Sequence, residues 1–370
     1  MPSTILHVAW SCIVVVVIFL PISSTNVGVF GTLRLPRCRR DFHTNLSMAA
    51  AKFRVGYVTD VEGNLDYFLR FVQQSNVLKV QGDVSSKTLT LHLCNENCYF
   101  VYGGDAVDKG PGDIRMVRAL VDLKQRHPDR VYLLVGNRDL NKLRWTAELN
   151  KDDMDRPIDA IPSPFWDPQA PSLQEFLQTK LQQRQEQQPE VSMETLNTRT
   201  NRLKYLLQHT LGCPDTFRFR RMELALLADL PESQISDEQI VDSFIHEVAS
   251  PQGSIRQYME HANIAVCIGN TLFCHGAVDQ ATMRFIPSLQ ETKFYLPTDK
   301  APPAAMIDNV QDWTKALNQF LKDGLKDFAE RPYWNHDRTS RGGEALMALQ
   351  NRPAMWGRTI VSNCYGDGGC

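Results

Sequence analysis

The chain has 370 residues, 43% hydrophobic and 22% charged, which are globular values that exclude disorder, collagen-like repeats and a multi-span membrane protein. Lys and Arg number 40 against 42 Asp and Glu, so the formal net charge is −2 and no dominant basic footprint marks nucleic acid as the main partner. The length suggests two or three domains at about 150 residues each, or one enlarged domain, and the 9 cysteines are too sparse and irregular for a disulfide scaffold.

Ile5 to Leu20 (ILHVAWSCIVVVVIFL) is almost wholly apolar and closed by Pro21. It is long for a signal-peptide core and short for a comfortable bilayer span. No Lys or Arg precedes it, while Arg34, Arg37, Arg39 and Arg40 follow. If it anchors the chain in a membrane, those arginines keep the following domain in the cytosol. Met48 opens MAAAKFRVG, similar to an ordinary cytosolic start, so residues 1–47 read equally as an anchor with its linker, a cleaved leader or an extension that is not native. Seven cysteines in the main body are an odd number, and the only N-x-[ST] sequon, Asn45-Leu46-Ser47, precedes the folded part. Both favour a reducing compartment, and a cytoplasmic location is expected for the folded part.

In chain order, Phe53–Thr59 reads as a strand closed by Asp60, and Leu65, Phe68, Leu69 and Val72 give Leu65–Gln74 a helical period. Leu89–Cys94 and Cys98–Tyr102 read as a hairpin around Asn95-Glu96-Asn97. A helix is predicted from about Asp113 to Arg126 and a strand over Val131–Val135. From about 141 to 260 the chain is polar, Gln-rich at Gln182–Gln188 and helical in pattern at Arg202–Leu211, Met222–Leu230 and Asp237–Glu247, which predicts a helical insertion, partly flexible near 167–200. A second hairpin joins Asn263–Ile268 to Thr271–Cys274, a helix follows at Asn309–Phe328, and Thr359–Asn363 reads as a last strand.

Four polar clusters follow strand ends: Asp60-Val61-Glu62-Gly63-Asn64, Gly104–Gly110 (GDAVDKG), Gly136-Asn137-Arg138-Asp139 and Cys274-His275-Gly276. Each alone is ordinary, since Asp, Asn and Gly are common turn residues. Their order and strand context carry the argument, because α/β sheets place their sites beyond strand C-termini. Oxygen and imidazole donors converging there suit a pair of hard-to-borderline divalent ions, which can activate a water for in-line phosphoryl displacement.

In this order the clusters resemble the motifs of the calcineurin-like metallophosphoesterases, and GDAVDKG resembles the GDxVDRG loop of their phosphoprotein phosphatase branch. The resemblance runs from Phe53 to about Gly276, interrupted by the insertion. It implies an α/β fold, an αββα sandwich of two mixed β-sheets flanked by helices, over residues 53–370. It also implies two divalent metal ions and hydrolysis of phosphomonoesters, on a protein or a small molecule, by a metal-activated water. Carried over by position, Asp60 is a ligand of the first metal, Asp105 the bridging carboxylate, and Asn137 and His275 ligands of the second. Asp108 matches the acid that orients the family's catalytic His, and Lys109 stands where the branch has a phosphate-contacting Arg.

The departures are informative. Glu62 replaces a His ligand; a harder, anionic donor favours Mn²⁺ or Mg²⁺ over Zn²⁺ or Fe. Arg138 replaces the catalytic His and cannot serve as a general acid near neutral pH. It can bind phosphate bidentately, with Asp108 or Asp139 holding its guanidinium. The family's final two-His loop is absent. His336 is the only later histidine and reads as a loop residue or a substitute ligand, and the chain is expected to be truncated before that loop. Cys94 and Cys98 read as strand-end cysteines rather than a metal clip, Phe217–Arg221 (FRFRR) as a solvated basic face, and Trp334 and Trp356 as packing residues. The leading expectation is a metal-dependent phosphoesterase. Its alternatives are a phosphatase-like binding or regulatory domain and a nucleotide or dinucleoside polyphosphate hydrolase.

Overall fold

The computed structural model describes residues 53–348 apart from 82–85, 165–166, 168, 186–187, 277, 279–282 and 294–301. The apolar segment Ile5–Leu20, Trp356 and the strand expected at Thr359–Asn363 lie outside the described residues. Among the described residues no helix is long and apolar enough to cross a membrane.

The fold is mixed α/β. Its centre is a four-stranded parallel sheet of β1 (Arg54–Val58), β4 (Cys98–Tyr102), β5 (Val131–Leu134) and β6 (Ala262–Asn263), in that order. β1 is followed by α1 (Leu65–Gln74), which buries Leu65, Phe68 and Val72 and is capped by the Asn64 side chain accepting from the Tyr67 amide. β2 (Leu78–Gln81) and β3 (Thr90–Leu93) then form a separate antiparallel pair. The hairpin expected between residues 89–94 and 98–102 is therefore not made: β3 pairs with β2, and β4 enters the parallel sheet beside β1. The reason lies in β4 itself. Cys98, Phe100, Val101 and Tyr102 are all fully buried, so the strand is covered on both faces and belongs at a sheet centre rather than in an edge hairpin.

Alternation along β4 sends Phe100 and Tyr102 to the main core under the helices and Val101 to the opposite face. There Val101 and Leu134 pack against Val266 and Phe273 of a second, antiparallel unit, β7 (Ala265–Ile268) with β8 (Thr271–Cys274), the hairpin the sequence predicts. Burying each of these side chains contributes roughly 1.5–3 kcal/mol. On the helical face, α2 (Asp113–Arg126) connects β4 to β5. The whole helical insertion then runs between β5 and β6, from α3 (Asn137–Asn141) and α4 (Trp145–Glu148) through α5 (Leu173–Gln185), α6 (Met193–Leu196), α7 (Arg199–Tyr205), α8 (Thr216–Ala228) and α9 (Asp237–Ala249) to α10 (Ser254–His261). α5 is a regular helix burying Leu173, Phe176 and Leu177, where partial flexibility was expected. Beyond the hairpin come the short pair β9 (Phe285–Ile286) and β10 (Ala305–Met306), then α11 (Val310–Glu330) and α12 (Glu344–Met347). α11 packs on the outer side of the β7–β8 hairpin. Its Asn318 accepts from the Ile264 and Ala265 amides at 2.8 and 3.2 Å and donates to the Ala265 carbonyl at 2.8 Å, stitching the step from β6 to β7.

Candidate metal centre

Because β1 and β4 are parallel neighbours, with Val58 opposite Tyr102, the loops that leave them emerge at the same sheet edge. They continue the ladder into the loops: Asp60 N donates to Gly104 O (3.0 Å), Glu62 N to Asp105 O (3.1 Å) and Gly63 N to Ala106 O (2.8 Å). The geometry is tight. A Cβ on Gly110 would lie 2.2 Å from the Gly63 carbonyl oxygen, and one on Gly136 2.1 Å from Asp105 Oδ1. Asp60, Glu62, Asp105 and Asp108 all have positive φ, four of the seven non-glycine residues that do so among those described. Backbone strain of this kind persists only where surrounding contacts over-determine it, and it gathers at functional sites.

The loops bring Asp60 and Asp105 to His275, with one potential ligand atom from each within 4.8 Å of the others. His275 Nδ1 lies 2.7 Å from the Gly103 carbonyl, an oxygen that can only accept, so Nδ1 carries a proton. The other ring nitrogen, Nε2, then faces Asn137 Oδ1 at 3.3 Å and Asp105 Oδ1 at 3.5 Å. Asp105 Oδ1 accepts from the Arg138 amide at 2.9 Å and Asp60 Oδ2 from the Thr59 hydroxyl at 2.5 Å, but the neutral Nε2 lone pair faces carboxylate and amide oxygens that only accept. A proton on Nε2 or a cation resolves it, and a histidine whose remote N–H is held by a backbone carbonyl is the usual arrangement of a metal ligand. The electrostatics agree. Burial works to lower the His275 pKa, but the Asp105 and Asp60 carboxylates outweigh it and raise it. Burial and the neighbouring Asp105 carboxylate, against the pull of His275, push Asp60 up to about 6.

Glu62 stands outside this cluster. Its oxygens pair with Arg138 Nε and Lys109 Nζ, each at 2.8 Å. Arg138 also lies 3.6 Å from Asp105 and 3.1 Å from Asp108. Burial opposes its charge, but Asp108, Glu62 and Asp105 hold its pKa above the usual value. The residues present thus fit one divalent cation at Asp60, Asp105 and His275, with Asn137 beside them. The second position expected from Glu62 is spanned by salt bridges. Asp108 does hold the Arg138 guanidinium, as expected, but it shares that oxygen with Lys142, whose fully buried ammonium lies 2.6 Å away.

Asp139 has a different task from the one expected. Rather than pairing with Arg138, its carboxylate accepts from the amides of Asp105 (3.0 Å), Ala106 (3.0 Å) and Gly136 (2.8 Å), which pins the bridging loop to the start of α3. Burial and the Asp105 charge push its carboxyl up to about 7. The insertion supplies the remaining support. Glu223 on α8 accepts from the Ile114 and Arg115 amides at 2.9 and 3.0 Å, capping α2, whose N-cap Gly112 has no side chain. Arg220 pairs with Asp113 at 3.4 Å, Asp113 accepts from the Asp108 amide at 3.1 Å, and Thr216 donates to the Asp108 carbonyl. The FRFRR stretch is therefore not a uniform basic face, because Arg220 is buried at 1% exposure and ties the insertion to the site loop.

Lys142, Asp113 and Glu223 carry no site signal in the sequence, and Arg220 is marked there only as part of the FRFRR stretch. Only the position of Lys142, four residues after Arg138, hinted that both could reach one carboxylate. His336 is exposed and belongs to no cluster with metal-ligand geometry among the described residues. Cys94 and Cys98 are free thiols at strand ends, and the Trp334 ring lies 4.3 Å from the Arg341 guanidinium and 5.8 Å from that of Arg156. Compared with known proteins, the chain matches no family model, no curated protein and no solved structure.

Proposed function

We propose that the chain is a metal-dependent phosphoesterase of the calcineurin-like kind, hydrolysing phosphomonoesters at the edge of its parallel sheet. The observation that carries this reading is the convergence of Asp60, Asp105 and His275, one potential ligand atom of each within 4.8 Å of the others, at two zipped strand-end loops. The order of helices, parallel sheet, antiparallel hairpin and α11 supports an αββα sandwich. A divalent cation bound there supplies Lewis acidity toward a phosphoryl oxygen and lowers the pKa of a nearby water. Mn²⁺ suits the oxygen-rich donor set.

The chain's own residues supply the rest. His275, with its Nδ1 proton held by Gly103, presents Nε2 as a donor atom of fixed orientation. Asp139 holds the Asp105 loop in register. Arg138 and Lys109 are the cations placed to receive a phosphate, and each must first give up part of its pairing with Glu62. A second cation at Glu62 requires the same exchange.

Titration of Mn²⁺ by calorimetry, with turnover of p-nitrophenyl phosphate, tests the reading in the parent and in Asp105→Asn. Bound Mn²⁺ with turnover, both lost in the variant, is expected. No bound Mn²⁺ and no turnover overturns it. One observation favours a second reading, a phosphatase-like binding domain: Arg138 stands where a proton donor is needed and is occupied by three carboxylates. Losing general acid catalysis costs about 10²–10⁴-fold. Mn²⁺ binding with phosphate affinity but no turnover would favour that reading.

A further inference from the structure

A cavity of about 600 Å³ lies between the insertion and the segment around α12, outside the candidate metal centre. That volume falls within the range of about 300–1,000 Å³ typical of small-molecule sites. Its lining includes the apolar Ile161, Leu173, Leu206 and Met347. It also includes four arginines, Arg144, Arg156, Arg202 and Arg341, with the carboxylates Glu148, Asp153 and Glu344.

Pairing these charges leaves a surplus. Glu148 is held by Arg144 at 2.9 Å and by Arg341 at 2.9 Å, and Arg341 also reaches Glu344 at 2.5 Å. Asp153 is held by Arg202 at 3.2 Å and by Arg338 at 3.1 Å. Arg156 makes no salt bridge within 4.0 Å among the described residues, although its charge acts on the Asp153 carboxylate that Arg202 and Arg338 hold. It donates one hydrogen bond, to the Ala160 carbonyl at 3.0 Å, and its guanidinium lies 5.8 Å from the centre of the Trp334 ring. The Trp334 indole N–H is buried and has no acceptor. The cavity wall also contains a π-helical turn, Leu206–Thr210, with Leu206 and Thr210 facing the cavity. Single π turns inside helices occur frequently at functional sites. A guanidinium outside salt-bridge distance of any carboxylate, a flat aromatic ring near it and apolar side chains in the same lining suit a flat apolar body with an oxyanion head.

We propose that this cavity is a binding site for a small aromatic carboxylate or a similar amphipathic oxyanion, with the anion on Arg156 and the apolar body against Leu173, Leu206 and Met347. The site is independent of the hydrolytic reading. It lies on the helical face that begins at Asn137 and continues through Asn141, Arg144 and Glu148, so its occupant touches the same helical segment that carries Arg138.

The probe is 2-naphthoate, titrated calorimetrically into the full chain beside the uncharged 2-naphthylmethanol. Saturable one-to-one binding of 2-naphthoate is expected, with the alcohol at least tenfold weaker. Arg156→Ala should weaken 2-naphthoate at least tenfold, and Ile161→Trp, which fills the partly exposed cavity mouth, should abolish binding. Both variants are checked for parental circular dichroism and melting, and Arg54→Ala, on the exposed start of β1, serves as the control. Asp105→Asn should bind 2-naphthoate as the parent does, so failure of the metal reading and failure of this one are separable. Absence of saturable binding, or binding unchanged in both Arg156→Ala and Ile161→Trp, overturns the proposal.

Discussion

Replacing Asp139 tests whether the loop carrying Asp105 is held by a buried carboxyl group. Asp139 is 1% exposed and accepts three backbone N–H groups at 2.8–3.0 Å. In Asp139→Ala no water reaches those donors, and each stranded N–H costs about 1–3 kcal/mol. Coupling among neighbours reduces the sum, so a loss of about 3–6 kcal/mol is expected, against a usual total stability of about 5–15 kcal/mol. Asp139→Asn keeps one carbonyl oxygen and turns an NH₂ toward the remaining donors, so a loss of about 2–3 kcal/mol is expected. The measurement is urea unfolding at pH 5, below the value of about 7 to which burial pushes this carboxyl, so that the parent is compared in its neutral form and relief of a buried charge does not offset the loss. Mn²⁺ affinity should fall in both variants, because Asp105 at φ 52° is no longer tied down. An Asp139→Asn protein within about 0.5 kcal/mol of the parent would refute the argument, since a carboxyl group bridging three amides cannot be replaced by an amide at no cost.

Four further outcomes follow from the structure. Asp60, at about 6 against 3.8, and Asp139, at about 7 against 3.8, bind more protons folded than unfolded, as does His275 with its raised value. The cation-free protein should therefore lose stability as pH rises from about 4 through 7, by about 3 kcal/mol from Asp60 alone at about 1.4 kcal/mol per pH unit. Mn²⁺ should reverse the loss, and thermal melts across pH with and without Mn²⁺ decide it. Gly136→Ala, whose Cβ would meet Asp105 Oδ1 at 2.1 Å and Asp105 N at 2.6 Å, should destabilise by more than about 3 kcal/mol and abolish Mn²⁺ binding. Gly212→Ala, with φ +63° and nothing within 4 Å, should cost only about 1–2 kcal/mol. Arg138→Ala strips a guanidinium from Glu62, Asp105 and Asp108, so it should cost about 3–5 kcal/mol without Mn²⁺ and raise Mn²⁺ affinity at least tenfold by calorimetry.

Periodicity exposed those elements whose faces differ. α1 with Leu65, Phe68 and Val72, α2, β5 and the β7–β8 hairpin all appear close to where the pattern puts them. The short connection at Asn95-Glu96-Asn97 suggests a hairpin, but the composition of the two strands decides the pairing of β3. β3 buries Leu91 and Leu93 on one face, whereas β4 is buried on both, and that near-continuous apolar run is the mark of a central parallel strand. α5 was hidden by its glutamines, although Leu173, Phe176 and Leu177 have the i, i+3, i+4 spacing of a buried face. Asp60, Asp105, Asn137 and His275 were legible as site residues because strand ends order them. Lys142 and Arg220 were not, since a cation's burial depends on which carboxylate the tertiary fold sets beside it.

On the proposed reading, the charges around the sheet edge also favour one cation. Asp60, Glu62, Asp105, Asp108 and Asp139 are five carboxyl groups in contact with one another's partners, and the chain sets three permanent cations among them, Lys109, Arg138 and Lys142. The deficit is two positive charges. Without an added ion, protons must make it up, and the groups that take them are Asp60, Asp139 and His275, whose pKa values are all raised. A raised carboxylate pKa and an affinity for a cation are the same free energy expressed through two ligands, H⁺ and M²⁺. One divalent ion at Asp60, Asp105 and His275 closes the balance without disturbing Glu62. A second would leave the edge two charges in excess unless Arg138 or Lys109 moved away from it or a phosphate arrived. On that reading a second ion is coupled to substrate: phosphate would bring the negative charge that lets Arg138 and Lys109 turn from Glu62 to the ligand. Calorimetry should accordingly find one strong Mn²⁺ site in the free protein and a second only in the presence of inorganic phosphate, and two equal sites without phosphate would show that the salt bridges to Glu62 do not govern occupancy.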